Sequence, residues 1–238
     1  MKKTVFFLCA LLPLYLSAQV SPKLVAPKEM PNGLHFLPPP PDTLSAGFAY
    51  DLSQYHWGKS QRNDSVRCAI ATRDAEWSVP CMCREFSEPF GVTLSKENTP
   101  EIYLLLEMVA ENARHVASEA KDHYMRKRPY VRFHEGTIAP WDEEDLRNNG
   151  SYPSGHTILG WSTALILTEL NPDRQDTLLA RGYMYGESRV IAGFHWQSDV
   201  NAGFLCASAA IARLHANDRF QEQIRKAKQE FLKKKSRK

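Results

Sequence analysis

A chain of 238 residues, 43% hydrophobic and 24% charged, is long enough for one sizeable core and too apolar for a disordered or collagen-like protein. Its formal charge of +3 drops to about +1 when Lys2 and Lys3 are set aside with the leader described next, leaving 28 basic against 27 acidic residues. Such a balance argues against nucleic acid as the main partner.

The opening residues, MKKTVFFLCALLPLYLSAQV, place two lysines before an apolar stretch that ends in Ser17-Ala18. This is the pattern of a secretory signal over residues 1–18, cleaved near Ala18-Gln19. It predicts a periplasmic or secreted protein with no stable membrane insertion after cleavage. Cys9 leaves with the leader. Cys68, Cys81, Cys83 and Cys206 remain, an even number in an oxidising compartment, which permits disulfides in three connectivities. One Cys-x-Cys without a neighbouring histidine is a weak zinc signal, and no metal is expected.

Residues 19–45 are rich in proline, with the run Pro38-Pro39-Pro40-Pro41, and predict an extended arm lying on the body of the protein or on a partner subunit. Residues 46–97 suggest short helices broken at Pro89 and Gly91. At Thr99-Pro100-Glu101 an N-cap hydroxyl, a first-turn proline and a carboxylate open a helix. Ile102, Leu105, Leu106, Val109, Ala113, Val116 and Ala120 recur at three- and four-residue spacing, which predicts one long helix to about Arg128, stopped by Pro129. Residues 157–170 are apolar on nearly all sides, the mark of a central helix. Two further helices are expected over 173–192 and 196–216, parted near Gly193, and a last amphipathic one over 218–238. Strand-like alternation is scarce, so the fold class is all-α: a single-domain helical bundle over residues 46–238.

Three groups of residues invite chemistry. Lys121 and Arg128 are seven apart, so on one helix they would project from one face as a pair of cations. Pro153-Ser154-Gly155-His156 shapes a turn into the central helix, whose free N–H groups can hold an anion, though Ser154 could be a plain N-cap and His156 a capped structural histidine. His195 and Asp199 are four apart; on a helix the carboxylate would hold one ring nitrogen and aim the other outward. Arg189 adds a bidentate donor for a tetrahedral oxyanion. Any of the three groups alone reads as ordinary structure.

Together, Lys121-x6-Arg128-Pro129, Pro153-Ser154-Gly155-His156 and Ser188-Arg189-x5-His195-x3-Asp199 resemble, position for position, the signature of the phosphatidic acid phosphatase type 2 superfamily. The contexts KDHYMRKRP, GSYPSGHT and HWQSDV are similar to those of the class A bacterial non-specific acid phosphatases. The resemblance implies a metal-independent, broadly specific phosphomonoesterase working through a phosphohistidine, with transfer to an alcohol acceptor as a side reaction. By it His195 is the nucleophile, Asp199 orients His195, and His156 is general acid and then base. Lys121, Arg128, Ser154, Gly155 and Arg189 hold the phosphate. Small-molecule phosphate monoesters are the expected partners, with a homodimer or larger homo-oligomer. Tyr152 and Phe194 are expected to flank the leaving group. No cofactor is expected, and vanadate should inhibit. A vanadium-dependent haloperoxidase, with vanadate as cofactor in the same cradle, is one rival; a non-catalytic phosphate-binding protein is the other.

Overall fold

Local signals set most of the helix boundaries in the computed structural model, which describes residues 21–236. The expected leader lies outside the described residues. In chain order the helices are α1 (Gly33–Phe36), α2 (Ala46–Gln61), α3 (Ser65–Arg73), α4 (Val79–Phe90), α5 (Pro100–Ala113) and α6 (Ser118–Tyr124). They continue with α7 (Pro129–Phe133), α8 (Glu143–Arg147), α9 (Gly155–Leu170), α10 (Gln175–Ala192), α11 (Gln197–His215) and α12 (Asp218–Lys235). Among the described residues there is no strand, so the all-α expectation holds.

Side-chain caps start several of them. Ser45, Asp64, Ser78, Ser154 and Asn217 each accept from a backbone N–H in the first turn of α2, α3, α4, α9 and α12. Gly91 and Gly193 close α4 and α10 in the left-handed conformation, at φ +82° and +88°, where a Cβ would be strained. Pro89 does not break α4; it sits in the last turn, and Gly91 ends the helix. Nor is the region before it all short pieces, since α2 runs for 16 residues.

The predicted helix from Thr99 to Arg128 is in fact three segments. α5 ends at Ala113, a 3-10 turn spans Arg114–Ala117, and α6 ends at Tyr124, where Met125 takes φ +39°. The apolar periodicity extends across the 3-10 turn because Val116 and Ala120 still face the core, but Met125 stops the helix before Arg128. Pro129 then disfavours the helical region for the residue before it, and Arg128 is extended at φ −68°, ψ 153°. Pro129 therefore begins α7 instead of ending the long helix.

The apolar helix α9 is the centre of the molecule and packs most extensively on α10 and α11, while α12 lies along α5. Close approach is sterically enforced: a Cβ on Gly203 of α11 would stand 2.8 Å from Thr157 Cβ and 2.9 Å from the Ser154 carbonyl oxygen. That contact fixes the start of α9 against α11. Cys68, Cys81, Cys83 and Cys206 are all free thiols, so the disulfides that an even count permitted are not formed. Burial pushes the thiols of Cys81, Cys83 and Cys206 up to about 12, and they act as small apolar core groups.

The described part of the proline-rich segment lies on its own chain. Asn112 binds it, accepting from the N–H groups of Leu24 and Val25 at 3.1 Å each and donating to the Pro22 carbonyl at 2.9 Å. Tyr152 donates to the Pro38 carbonyl at 2.6 Å. Among the described residues no helix is long and apolar enough to cross a membrane.

Candidate active site

One cavity of about 890 Å³ brings the three sequence groups together. Lys121, Arg128, Gly155, His156 and His195 line it. Ser154, Arg189 and Asp199 are fully buried immediately behind these residues.

His195 precedes α11 instead of lying on it, so the expected helical pairing with Asp199 is replaced by a capping arrangement. Asp199 is the third residue of α11, and its Oδ2 accepts from the Trp196 N–H at 2.9 Å and faces His195 Nδ1 at 3.3 Å. The other ring nitrogen, Nε2, lies 3.1 Å from Arg128 Nη1. A guanidinium can only donate, so Nε2 is the acceptor and the ring proton belongs on Nδ1, toward Asp199. Burial, reinforced by Arg128, Lys121 and Arg189, holds His195 well below the ordinary 6.5. The ring is therefore a neutral imidazole with its lone pair on Nε2.

Further charges, which sequence reasoning missed, back this pair. Arg126 Nη1 donates to Asp199 Oδ1 at 2.6 Å and to Ser198 Oγ at 2.7 Å, while its Nη2 donates to Asp51 Oδ2 at 2.7 Å. Asp51, fully buried on α2, also accepts from Ser198 N–H at 2.8 Å and Ser198 Oγ at 2.6 Å. Asp199 is thus gripped on both oxygens, which leaves its negative charge fixed beside the imidazole. Arg126 stands inside KDHYMRKRP, so its neighbourhood was a signal; nothing near Asp51 was.

Lys121 and Arg128 meet although they do not share a helix face. Lys121 Nζ donates to the Gly150 carbonyl at 2.7 Å, and Arg128 Nε donates to the carbonyls of Leu146 and Asn149 at 3.0 and 3.1 Å. Gly150 allows this close approach, since a Cβ there would stand 2.4 Å from the Lys121 carbonyl oxygen. Burial, and then Arg128, lowers the Lys121 ammonium from 10.5 to about 7. A base lowered by folding holds its proton less firmly in the folded state, so the stability it contributes declines as pH falls from 10.5 through about 7. An anion brought beside it opposes that loss.

Arg189 carries the most informative geometry. It is fully buried, its guanidinium carbon lies 4.8 Å over the Phe194 ring, and none of its three guanidinium nitrogens has a hydrogen-bond partner. Arginine does not lose its charge in a protein interior. A desolvated cation–π contact is worth on the order of 2 kcal/mol, against a desolvation cost of several kcal/mol per buried ion. Three unmatched donors beside a cationic cavity fit an anion with several acceptor oxygens.

His156, the second residue of α9, donates from Nε2 to the Ala75 carbonyl at 3.0 Å, which leaves Nδ1 to exchange a proton. Burial, then Arg189, lowers it well below 6.5, so with only these cations around it the ring is neutral. A phosphate dianion would reverse much of that shift by setting opposite charge against the cations. Ser154 does cap α9, accepting from Thr157 N at 3.3 Å and Thr157 Oγ1 at 2.9 Å. Those bonds use its lone pairs and leave its own proton for an anion. Gly155, the first residue of α9, has a backbone N–H that no helical carbonyl satisfies.

Tyr152 and Phe194 do not flank a leaving group. Tyr152 is buried against the arm, and Phe194 is buried beneath Arg189 with its edge toward Tyr130. Aromatic side chains at the mouth are instead Trp77 and Trp141. No cluster of three or more His, Cys, Asp or Glu among the described residues is arranged to hold a metal ion.

Comparison with known proteins places the chain among acid phosphatase relatives. The chain is 45% identical over 203 residues to a non-specific acid phosphatase of Providencia stuartii, covering 85% of this chain and 82% of the relative. It is 39% identical over 228 residues to one of Salmonella typhimurium, covering 95% and 91%. An acid phosphatase of Zymomonas mobilis is 36% identical over 200 residues, covering 84% and 75%. The PAP2 superfamily profile matches residues 101–222, so Asp51, Ala75 and Trp77 reach the site from helices and loops upstream of the matched segment. With that match over half its length and relatives aligned over most of it, the chain belongs to the PAP2 superfamily.

Proposed function

We propose that the chain is an acid phosphatase that hydrolyses phosphate monoesters through a phosphohistidine on His195, with no metal in the mechanism. The observation that carries this reading is the buried guanidinium of Arg189, unpartnered beside a neutral histidine whose lone pair is on Nε2. A phosphoryl group matches both: its oxygens accept from Arg189, Arg128, Lys121, Ser154 and the Gly155 N–H, and its phosphorus presents to Nε2.

In the first displacement the Nε2 lone pair forms a bond to phosphorus and the P–O bond to the alcohol breaks. Nδ1–H then carries the positive character of the ring against Asp199, whose charge Arg126 and Asp51 keep in place. His156 Nδ1 gives its proton to the departing alkoxide and, now neutral, takes one from the water that attacks phosphorus; the Nε2–P bond breaks, inorganic phosphate leaves and the His195 lone pair is restored. Phosphoryl transfer depends mainly on position and positive charge, which these cations and the start of α9 supply. An alcohol that enters in place of water would receive the phosphoryl group, which is the transferase side reaction. The signal-like sequence of residues 1–18 supports a periplasmic or secreted setting.

Hydrolysis of p-nitrophenyl phosphate with EDTA present, across acidic to alkaline pH, tests this reading. Activity is expected to peak in acid, to persist with EDTA, to fall with vanadate, and to decline above about pH 7 as Lys121 loses its proton. A folded enzyme with no turnover, but with halide oxidation in vanadate and peroxide, would establish the haloperoxidase rival; phosphate binding without either activity would establish a binding protein.

Arg126 touches no phosphate, so its removal should act through Asp199. Arg126→Leu is expected to lower kcat by about 10–100-fold, by analogy with the partners that orient metal-bound histidines, with KM changed much less. Arg126→Lys, which keeps one donor, should recover part of it. A KM effect larger than the kcat effect would contradict the role.

A further inference from the structure

The cavity is several times larger than a phosphoryl group requires, and its outer wall is not built like its floor. Trp77 and Trp141 both line it, and they are 44% and 62% exposed. Two exposed indoles at one cavity mouth are an unusual expenditure of apolar surface.

Trp77 sits directly at the reacting end. Its ring lies 5.0 Å from that of His156, edge to face at 79°, and a Cβ on Gly155 would stand 3.4 Å from Trp77 Cζ3. It therefore borders both the proton donor for the leaving group and the N–H that opens α9. Trp141, beside Asp142 and before α8, lines the same space from another element.

The arginines of the mouth are already engaged with carboxylates. Arg73 and Arg84 each donate to Glu85 at 3.0 Å, Arg84 also reaches Glu76 at 3.1 Å, and Arg114 reaches Glu111 at 3.2 Å. Beside the carboxylates of Asp142 and Asp145, what the outer wall offers the alcohol half of a substrate is therefore indole surface. Indole binds planar π systems by stacking, worth about 1–3 kcal/mol per nucleic-acid base.

We propose that Trp77 and Trp141 form a platform for a planar aromatic leaving group, so that among phosphate monoesters the site favours those whose alcohol carries a ring of nucleobase type. The proposal rests on the phosphatase reading and adds selectivity to it. The chemistry at phosphorus is unchanged: the same P–O bond breaks, and only the binding of the departing alcohol differs.

Adenosine 5′-monophosphate and ribose 5-phosphate form a suitable pair, since both release a primary alkoxide and differ in the base. The ratio of kcat/KM for the nucleotide over the sugar phosphate is expected to be about tenfold or more in the wild type. It should fall several-fold in Trp77→Ala and in Trp141→Ala, and approach one in the double variant. Trp141 is more than half exposed, so its replacement leaves a folded protein in which the ratio can be read. A wild-type ratio near one, or a ratio that neither variant lowers, would overturn the platform while leaving the phosphatase intact. Failure of the wild type to hydrolyse either compound would overturn the phosphatase reading itself.

Discussion

His195→Ala is expected to lower kcat by about 10⁴-fold or more, the scale of losing a nucleophile whose partners act as one unit. The folded state should survive, because the ring occupies a cavity wall and its departure leaves Arg128 bonded to the carbonyls of Leu146, Asn149 and Phe194. Affinity for inorganic phosphate should persist, since Arg128, Arg189 and Lys121 are untouched. Steady-state kinetics with a phosphate-binding titration check both halves. Residual activity within about tenfold of wild type would mean that phosphorus is attacked by something other than Nε2.

Arg189→Met separates activity from stability, because the two should move in opposite directions. Loss of a cation that meets the equatorial oxygens is expected to cost about 10³-fold in kcat/KM, as for other donors aimed at transition-state charge. The same change removes a buried charge with no hydrogen-bond partner and puts an apolar chain of similar length over Phe194. Replacing a poorly compensated buried ion by well-packed apolar groups is neutral to stabilising by about 1–4 kcal/mol, so the melting temperature should rise by several degrees. Thermal unfolding without phosphate gives the cleanest reading. With phosphate the order should narrow or invert, because only the wild type gains the bound anion. A variant that loses both stability and activity would indicate that Arg189 is structural.

The sequence reading reached the helical class and the three clusters because each depends on local information. Helix starts were visible as Ser154 before α9 and Thr99-Pro100 before α5, and the end of α10 as Gly193. The geometry inside the clusters was less legible. Lys121 and Arg128 do converge, but through the turn at Met125 and the extended Arg128, not along a single helix. A periodicity of apolar residues cannot register a break that keeps its buried face.

Long-range partners were out of reach altogether. The Arg126–Asp51 pair joins residues 75 apart in sequence, and His156 donates to a carbonyl 81 residues away. A backbone oxygen has no side-chain identity to read, and Asp51 sits in α2 without any neighbouring motif. Tyr152 and Phe194 were misplaced for a related reason: adjacency in sequence to Ser154 and His195 was taken for adjacency to the cavity. Tyr152 lies in the turn before α9 and is turned to the arm, Phe194 lies between α10 and α11 beneath Arg189, and the mouth aromatics come from the α3–α4 connection and the approach to α8.

The most direct test of the account is to catch the covalent intermediate. Enzyme mixed with a fast-reacting aryl phosphate and quenched in alkali within the first turnovers should yield, after digestion, a single peptide carrying one added phosphoryl group on His195, absent from His195→Ala and present in His156→Ala. A phosphorylated residue other than His195, or turnover with no phosphoenzyme at any quench time in wild type and His156→Ala alike, would contradict it.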